Sequence, residues 1–378
     1  MLQPEVLAEL EALYDRGLYV STLRAAEAMD GGPLAWRDAA ACAFASRLLR
    51  QVGAPRASSL VAIRAHRAAP LDPRAGVVWA HYLAGERGPY AALEYLRTFP
   101  VDAAEGEEQA DLRLSRAGML VELRDFEAAE YEICRAEALC PGYGWAAVVR
   151  AGLLTAQDRL DDALAVAQQV LRDRPWQRSA IQAAAHALLE LGRVDEAAAL
   201  LTEAVARLES GALALQLGHL EMTRRRPREA WSWFVRAGQL FVFIEPEALA
   251  GLVGACCEAA CEAGDDAAAI ALARACGDPG LARLAERLER GQNRRVVSLA
   301  VPYVRQAHKT CAPATLSALC QFFGWPAEHL AIAEEICFDG TPWASERRWA
   351  EQQGLVAREF TVTWDSATGL LDRGVPLR

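Results

Sequence analysis

The segment TCAPATLSALCQFFG, Thr310 to Gly324, carries the residues best suited to chemistry. Pro313 fits the first turn of a helix, where its missing amide breaks no hydrogen bond. Leu316, Leu319, Cys320 and Phe323 follow at helical spacing, and Gly324 ends the pattern. The spacing predicts a helix that starts at Thr310 or Cys311. A thiol at that end meets free backbone amides and the positive end of the helix dipole, and both favour thiolate. Thiolate is the form that attacks a carbonyl. The other reading of Cys311 is a small apolar residue buried on the helix face.

A cysteine nucleophile also needs an imidazole within hydrogen-bonding reach. Two histidines come into question. His308 lies three residues before the thiol, in the same loop, and His329 lies in the predicted helix PAEHLAIAEEIC. Neither stands on a separate element that would approach the sulfur from across a cleft.

The rest of the chain is a scaffold built on a repeat. RDFEAAEYEICRAEALCP, Arg124 to Pro141, and DRLDDALAVAQQVLRDRP, Asp158 to Pro175, share one pattern. Their aligned alanines, Ala129 and Ala163, are 34 residues apart, as are Pro141 and Pro175. The register continues to Ala197 and Ala230, and runs back to Ala92 and Ser58, with Pro70 at the expected offset. Weaker copies lie at RGLYVSTLRAAEAM and at AGDDAAAIALARAC, giving seven or eight units at intervals of 33 to 39 residues. Apolar residues recur at helical spacing in each half-unit, so each unit reads as two amphipathic helices. Small residues allow close helix approach, and the prolines stop a helix.

This pattern resembles the tetratricopeptide repeat family, a mostly α fold in which helix pairs stack into a solenoid. The resemblance covers residues 1–290 and implies a concave face that binds a peptide or protein. Trp145, Trp176, Trp231 and Trp233 are either anchors for such a ligand or fillers between helices. His66, His81, His186 and His219 read as packed or surface residues.

The helical pattern breaks at Gly291. Arg294 to Val304 is rich in valine and β-prone, with Pro302 arguing against a central strand. Residues 295–378 resemble the first half of the bacteriocin-processing, double-glycine-leader peptidase-like family, a papain-like α+β fold. The resemblance rests on VPYVRQ, CAPATLSALCQFFG, Gly340-Thr341, Gly354-Leu355 and Gly374-Val375-Pro376. By position it makes Cys311 the nucleophile and Gln306 the side-chain donor to the oxyanion, with the amide of Cys311 as second donor. The family usually has glycine after the cysteine; here Ala312 stands there. In that family the catalytic histidine and its Asp or Asn partner follow the Gly-x-Pro strand, whereas this sequence runs to Arg378. A sheet cut there would leave open edges. The expectation is therefore a piece of a longer peptidase, inactive as this chain. The alternatives are a degenerate peptide-binding adaptor, or a base supplied by another chain.

The composition narrows the remaining choices. A formal charge of −10 excludes a chain-wide attraction to nucleic acid or anionic membrane. The basic stretch TRRRPRE, Thr223 to Glu229, reads as a solvated turn between helices. Neither a targeting segment nor a membrane-length apolar run is visible, so a cytoplasmic location is expected. The ten cysteines form no CxxC pair and read as reduced thiols. CCEAAC, with Cys257 and Cys261 one turn apart, lacks the further ligands of a metal site. With no phosphate-cradling glycine loop and no HExxH, no cofactor is expected.

Overall fold

A computed structural model of the chain describes residues 2–29, 31–291, 297–325 and 327–377. The chain divides into two compact units, Met1–Gly291 and Gln292–Arg378. The composition-based boundary near residue 295 lies outside the described residues.

The first unit is a run of eight helix pairs with a final single helix, among the described residues. The central pairs are Gly106–Glu122 with Phe126–Leu139, Gly144–Ala156 with Leu160–Asp173, and Arg178–Glu190 with Val194–Val205. Local chemistry sets the ends. Asp38, Asp72, Asp125, Asp265 and Asp278 each cap a helix through the side chain, satisfying an otherwise orphaned amide. Proline opens the helices that begin at Pro55, Pro73, Pro89, Pro227, Pro246 and Pro279. In the turn within every pair one residue has a positive φ: Gly17, Gly53, Gly88, Arg124, Asp158, Gly192, Arg225 and Gly264. The repeat register is thus written in the backbone itself.

The aligned small residues are where the sequence predicts contact. Ser58, Ala92, Ala129, Ala163, Ala197 and Ala230 are all buried. A methyl there fills the crossing of two helices with almost no side-chain entropy to lose. Separate apolar cores follow one another along the stack. One of them, built mainly from residues 164–259, also takes in Val20 from the first pair.

Val20 marks a feature that an open solenoid lacks. The array curls until its first two pairs meet the connections between pairs six, seven and eight. The Glu209 amide donates to the Gly17 carbonyl at 2.9 Å, and the Phe243 amide donates to the Val52 carbonyl at 3.1 Å. Both receiving turns contain a glycine for two reasons. Their φ angles are 74° and 87°, and a β-carbon would lie 2.7 Å from Leu208 at Gly17 and 3.0 Å from Phe241 at Gly53. The solenoid therefore curls far enough to meet itself, and we call the part so enclosed, from the first pair to the eighth, the ring. Curvature accumulates from a small rotation at each repeat, so it has no local signature in sequence.

The second unit holds four helices among the described residues: Cys311–Phe322, His329–Ile336, Trp343–Gln352 and Trp364–Asp372. Leu316, Cys320, Ile332, Trp349 and Ala350 form its small core. No β-strand forms among the described residues, so the α+β half-domain of the sequence reading is not what this unit displays. Residues 297–304 alternate between half-buried and exposed positions only in part, and no ladder joins them to residues 355–362. β-prone composition makes a strand only where a second strand supplies the ladder.

Candidate functional site

Inside the ring, polar side chains from successive pairs converge. Tyr14 and Asp15 come from the first pair, Arg47 and Arg50 from the second, and His81 from the third. Asp111 comes from the fourth, Tyr143 precedes the fifth, and Arg174 and Arg178 belong to the approach to the sixth. The Arg47 guanidinium lies 4.9 Å from the centre of the Tyr14 ring. The Tyr143 hydroxyl donates to Asp111 at 2.7 Å. Tyr19 interacts with Arg178 about five repeats along, and Asp15 feels Arg47, Glu107 and Arg174. These interactions join the first pair to the sixth beside the place where the array meets itself.

The enclosure sets the protonation states. Burial, reinforced by the Arg50 and Arg47 charges, pushes His81 down to about 4. Burial also raises Tyr19 to about 12, against the opposing effect of Arg178. It raises the Asp111 carboxyl despite the Tyr143 hydrogen bond and the Arg47 charge. Arg47 resists: burial works against its charge, but Tyr14, Asp111 and Asp15 outweigh it and its pKa rises. The cluster is largely self-compensating, a neutral imidazole among paired ions.

A second surface repeats with the sequence. Arg116, Leu120, Tyr131 and Glu132 line a groove between the third and fourth pairs. Arg150, Leu154, Ala165 and Val166, each 34 residues further on, line the next. Glu137 and Glu130 hold Arg150 at 2.8 and 2.5 Å, while Arg116 donates to the Leu96 carbonyl at 3.1 Å. Tyr131 stands 60% exposed at the rim of the first groove and Phe126 lines the second. Both grooves thus pair a fixed guanidinium with a leucine wall.

Cys311 is the first residue of its helix, and it is exposed. Thr310 precedes it at the N-cap, and its hydroxyl donates to the Ala307 carbonyl at 3.0 Å instead of capping the helix. Lys309 has a φ of 58° and pairs with Asp339. The Cys337 thiol donates to the Lys309 carbonyl at 3.2 Å, so the loop before Cys311 is tied to the 337–340 turn. Lys309, first through its hydrogen bond and then through its charge, lowers the Asp339 pKa, with His308 adding to the effect. Gln306 and His308 are exposed. His329 opens its own helix, with its Nε2 buried and without a hydrogen-bond partner. Among the described residues no hydrogen bond joins the Cys311 sulfur to either histidine.

The other candidates fall into structural roles. Trp176 lies under the Arg207 guanidinium at 4.1 Å, and Trp145, Trp231 and Trp233 pack at the edges of the repeat cores. His66 stacks on Trp79 at 4.6 Å, and His219 meets Phe234 edge-on at 5.0 Å. In TRRRPRE, Arg224 bonds Glu221 and Asp195 outside the stretch. Cys256 and Cys257 are buried, and burial raises Cys257 to about 11. No group of residues able to hold a metal ion occurs among the described residues. No described helix is long and apolar enough to cross a membrane. The inner cluster itself escaped sequence reasoning, since its members share no motif and only the closure brings them together.

No protein-family model matches the chain, and no curated protein matches it. Solved structures do. Yeast Tom70 is 14% identical, over 72% of this chain and 59% of that one, with a TM-score of 0.52. A human IFIT1 dimer with m7Gppp-AAAA is 14% identical, over 76% of this chain and 72% of that one, with a TM-score of 0.54. A tetratricopeptide repeat protein from Parabacteroides merdae ATCC 43184 is 15% identical, over 67% and 97%, with a TM-score of 0.44. The fold is a tetratricopeptide-like α-solenoid. At such identities the likeness concerns the fold and leaves the site to be argued from its own residues.

Proposed function

We propose that the chain is a protein-interaction scaffold whose repeats hold a polypeptide partner. The observation that carries this reading is the groove that recurs in 34-residue register, with Arg116 and Leu120 in one copy and Arg150 and Leu154 in the next. An extended chain laid across both grooves meets the same pair of contacts twice. Its apolar side chains bury against leucine, and the fixed guanidinium edges orient its carbonyls. The test is to pan the full chain against a displayed random-peptide library. The best peptide is then titrated against the wild type and against Tyr131→Asp/Ala165→Asp, which charges the exposed rim of each groove and leaves the buried Leu120 and Leu154 in place. Binding is expected to weaken by at least about tenfold, about 1.4 kcal/mol. Equal affinity in the two proteins would move the binding surface elsewhere.

A second reading is thiol chemistry in the other unit, with Cys311 as a peptidase nucleophile and Gln306 as the oxyanion donor. Its support is the exposed position of Cys311 at the first residue of a helix. Limited treatment with iodoacetamide separates it from a purely binding role. Under this reading Cys311 alkylates ahead of Cys134, which is also exposed; alkylation at the same rate leaves an ordinary surface thiol.

A further inference from the structure

The closing seam of the ring is built in two copies that follow the repeat. The second helices of the first two pairs, Tyr19–Glu27 and Pro55–Ala68, begin after Leu18 and Ala54, neither of which supplies a side-chain cap. Each receives its cap from far along the chain. The Ser21 amide and hydroxyl donate to the two Glu209 oxygens at 2.7 and 2.8 Å. The Arg56 amide donates to Glu245 at 2.6 Å, and its guanidinium reaches Glu247 at 2.8 Å. Ser21 and Arg56 are 35 residues apart, and Glu209 and Glu245 are 36 apart. A carboxylate at a helix N-terminus is a favourable partner for free amides and the dipole. Here that partner also ties the two ends of the array together.

The seam differs in kind from the joints between neighbours. Consecutive helices pack face to face along the stack, whereas no helix of the first two pairs packs broadly against pairs six to eight. The ends meet mainly through connections, by two carboxylate caps, two backbone hydrogen bonds and the Leu208 and Phe241 contacts at Gly17 and Gly53, with Val20 buried in the 164–259 core and Tyr19 bonded to Arg178 beside them. Contacts of this kind are the ones that open locally while the packed elements stay folded.

We propose that this seam is a latch, which opens as a unit while the repeats remain folded and so uncovers the polar surface carrying Arg47, His81 and Asp111. The proposal rests on the closure alone and is independent of which partner the grooves hold.

Native-state amide exchange on the unmodified chain tests it first. The Ser21 and Arg56 amides are expected to exchange at least about tenfold faster than the core amides of Ile133 and Ile181. Exchange at the core rate would mean that the seam opens only with global unfolding, and would overturn the proposal. The Glu209→Ala/Glu245→Ala chain is expected to keep its helix signal and to show a larger radius of gyration by X-ray scattering. An unchanged radius, or loss of helix together with the seam, would equally overturn it.

Discussion

At the scale of a residue, the informative group is His81. Its imidazole is enclosed beside two guanidinium groups, so the folded chain holds it neutral down to about pH 4, whereas an unfolded chain protonates it near 6.5. The unfolded state therefore binds more protons between those values, and stability rises with pH across that window. The contribution is complete above about pH 6.5, is lost progressively on acidification, and vanishes once the folded imidazole also takes the proton. The pKa difference sets its size at about 3 kcal/mol at most. Urea titrations across the window are expected to show His81→Gln with a shallower acid-side loss of stability than the wild type. Equal slopes would show that His81 does not carry the acid-side loss; Asp15 and Asp111, whose raised carboxyl pKa values add stability on acidification, work against that loss and cannot be its source.

At the scale of an element, packing and propensity can be set against each other at Gly218, in the helix Gly211–Thr223. Alanine there would gain about 1 kcal/mol of helix propensity. Its β-carbon would lie 2.4 Å from the Phe234 ring, which is 1% exposed and has nowhere to go. Overpacking of this kind costs about 1–3 kcal/mol, so the sign is settled by the ring. Gly218→Ala is expected to lower stability by up to about 2 kcal/mol in denaturant melts, and Gly218→Ala/Phe234→Leu to recover part of the loss. A stabilised single variant would show that the seventh pair relaxes more freely than its burial suggests. The same helix shows what sequence reveals. The alanine register from Ala92 to Ala230 and the helix ahead of Phe323 were legible because helical periodicity and turn chemistry act over a few residues. The contact of Gly218 with Phe234 was not, since glycine in a helix reads as a weakness until its neighbour is known. The α+β character expected of residues 295–378 shows no strand among the described residues for a related reason: valine-rich composition describes half of a ladder. Cys311 at its helix start was legible from Pro313 and the apolar stripe. The tie between Lys309 and Asp339 was not, because it joins segments that share no pattern.

At the scale of the whole molecule, closure changes how stability is shared. An open solenoid couples each repeat only to its neighbours, so damage at one end fades along the stack. The seam adds one long-range link, from Gly17 and Ser21 to Glu209 and from Val52 and Arg56 to Phe243 and Glu245. Leu10 is 1% exposed in the first helix, and Leu10→Ala leaves a cavity costing about 2–5 kcal/mol. In a linear array that loss would stay near the first pairs. In the ring it removes the platform against which residues 208–247 close, so amide protection there is expected to fall as well. The decisive comparison is a double-mutant cycle in which Leu10→Ala is combined with Glu209→Ala/Glu245→Ala. If the seam carries the coupling, Leu10→Ala lowers protection around Phe241 in the closed chain and leaves it unchanged in the unlatched one, a non-additivity of about 0.5–3 kcal/mol. Strict additivity would mean that the two ends touch without sharing energy, and the array would then behave as a linear stack that happens to meet itself.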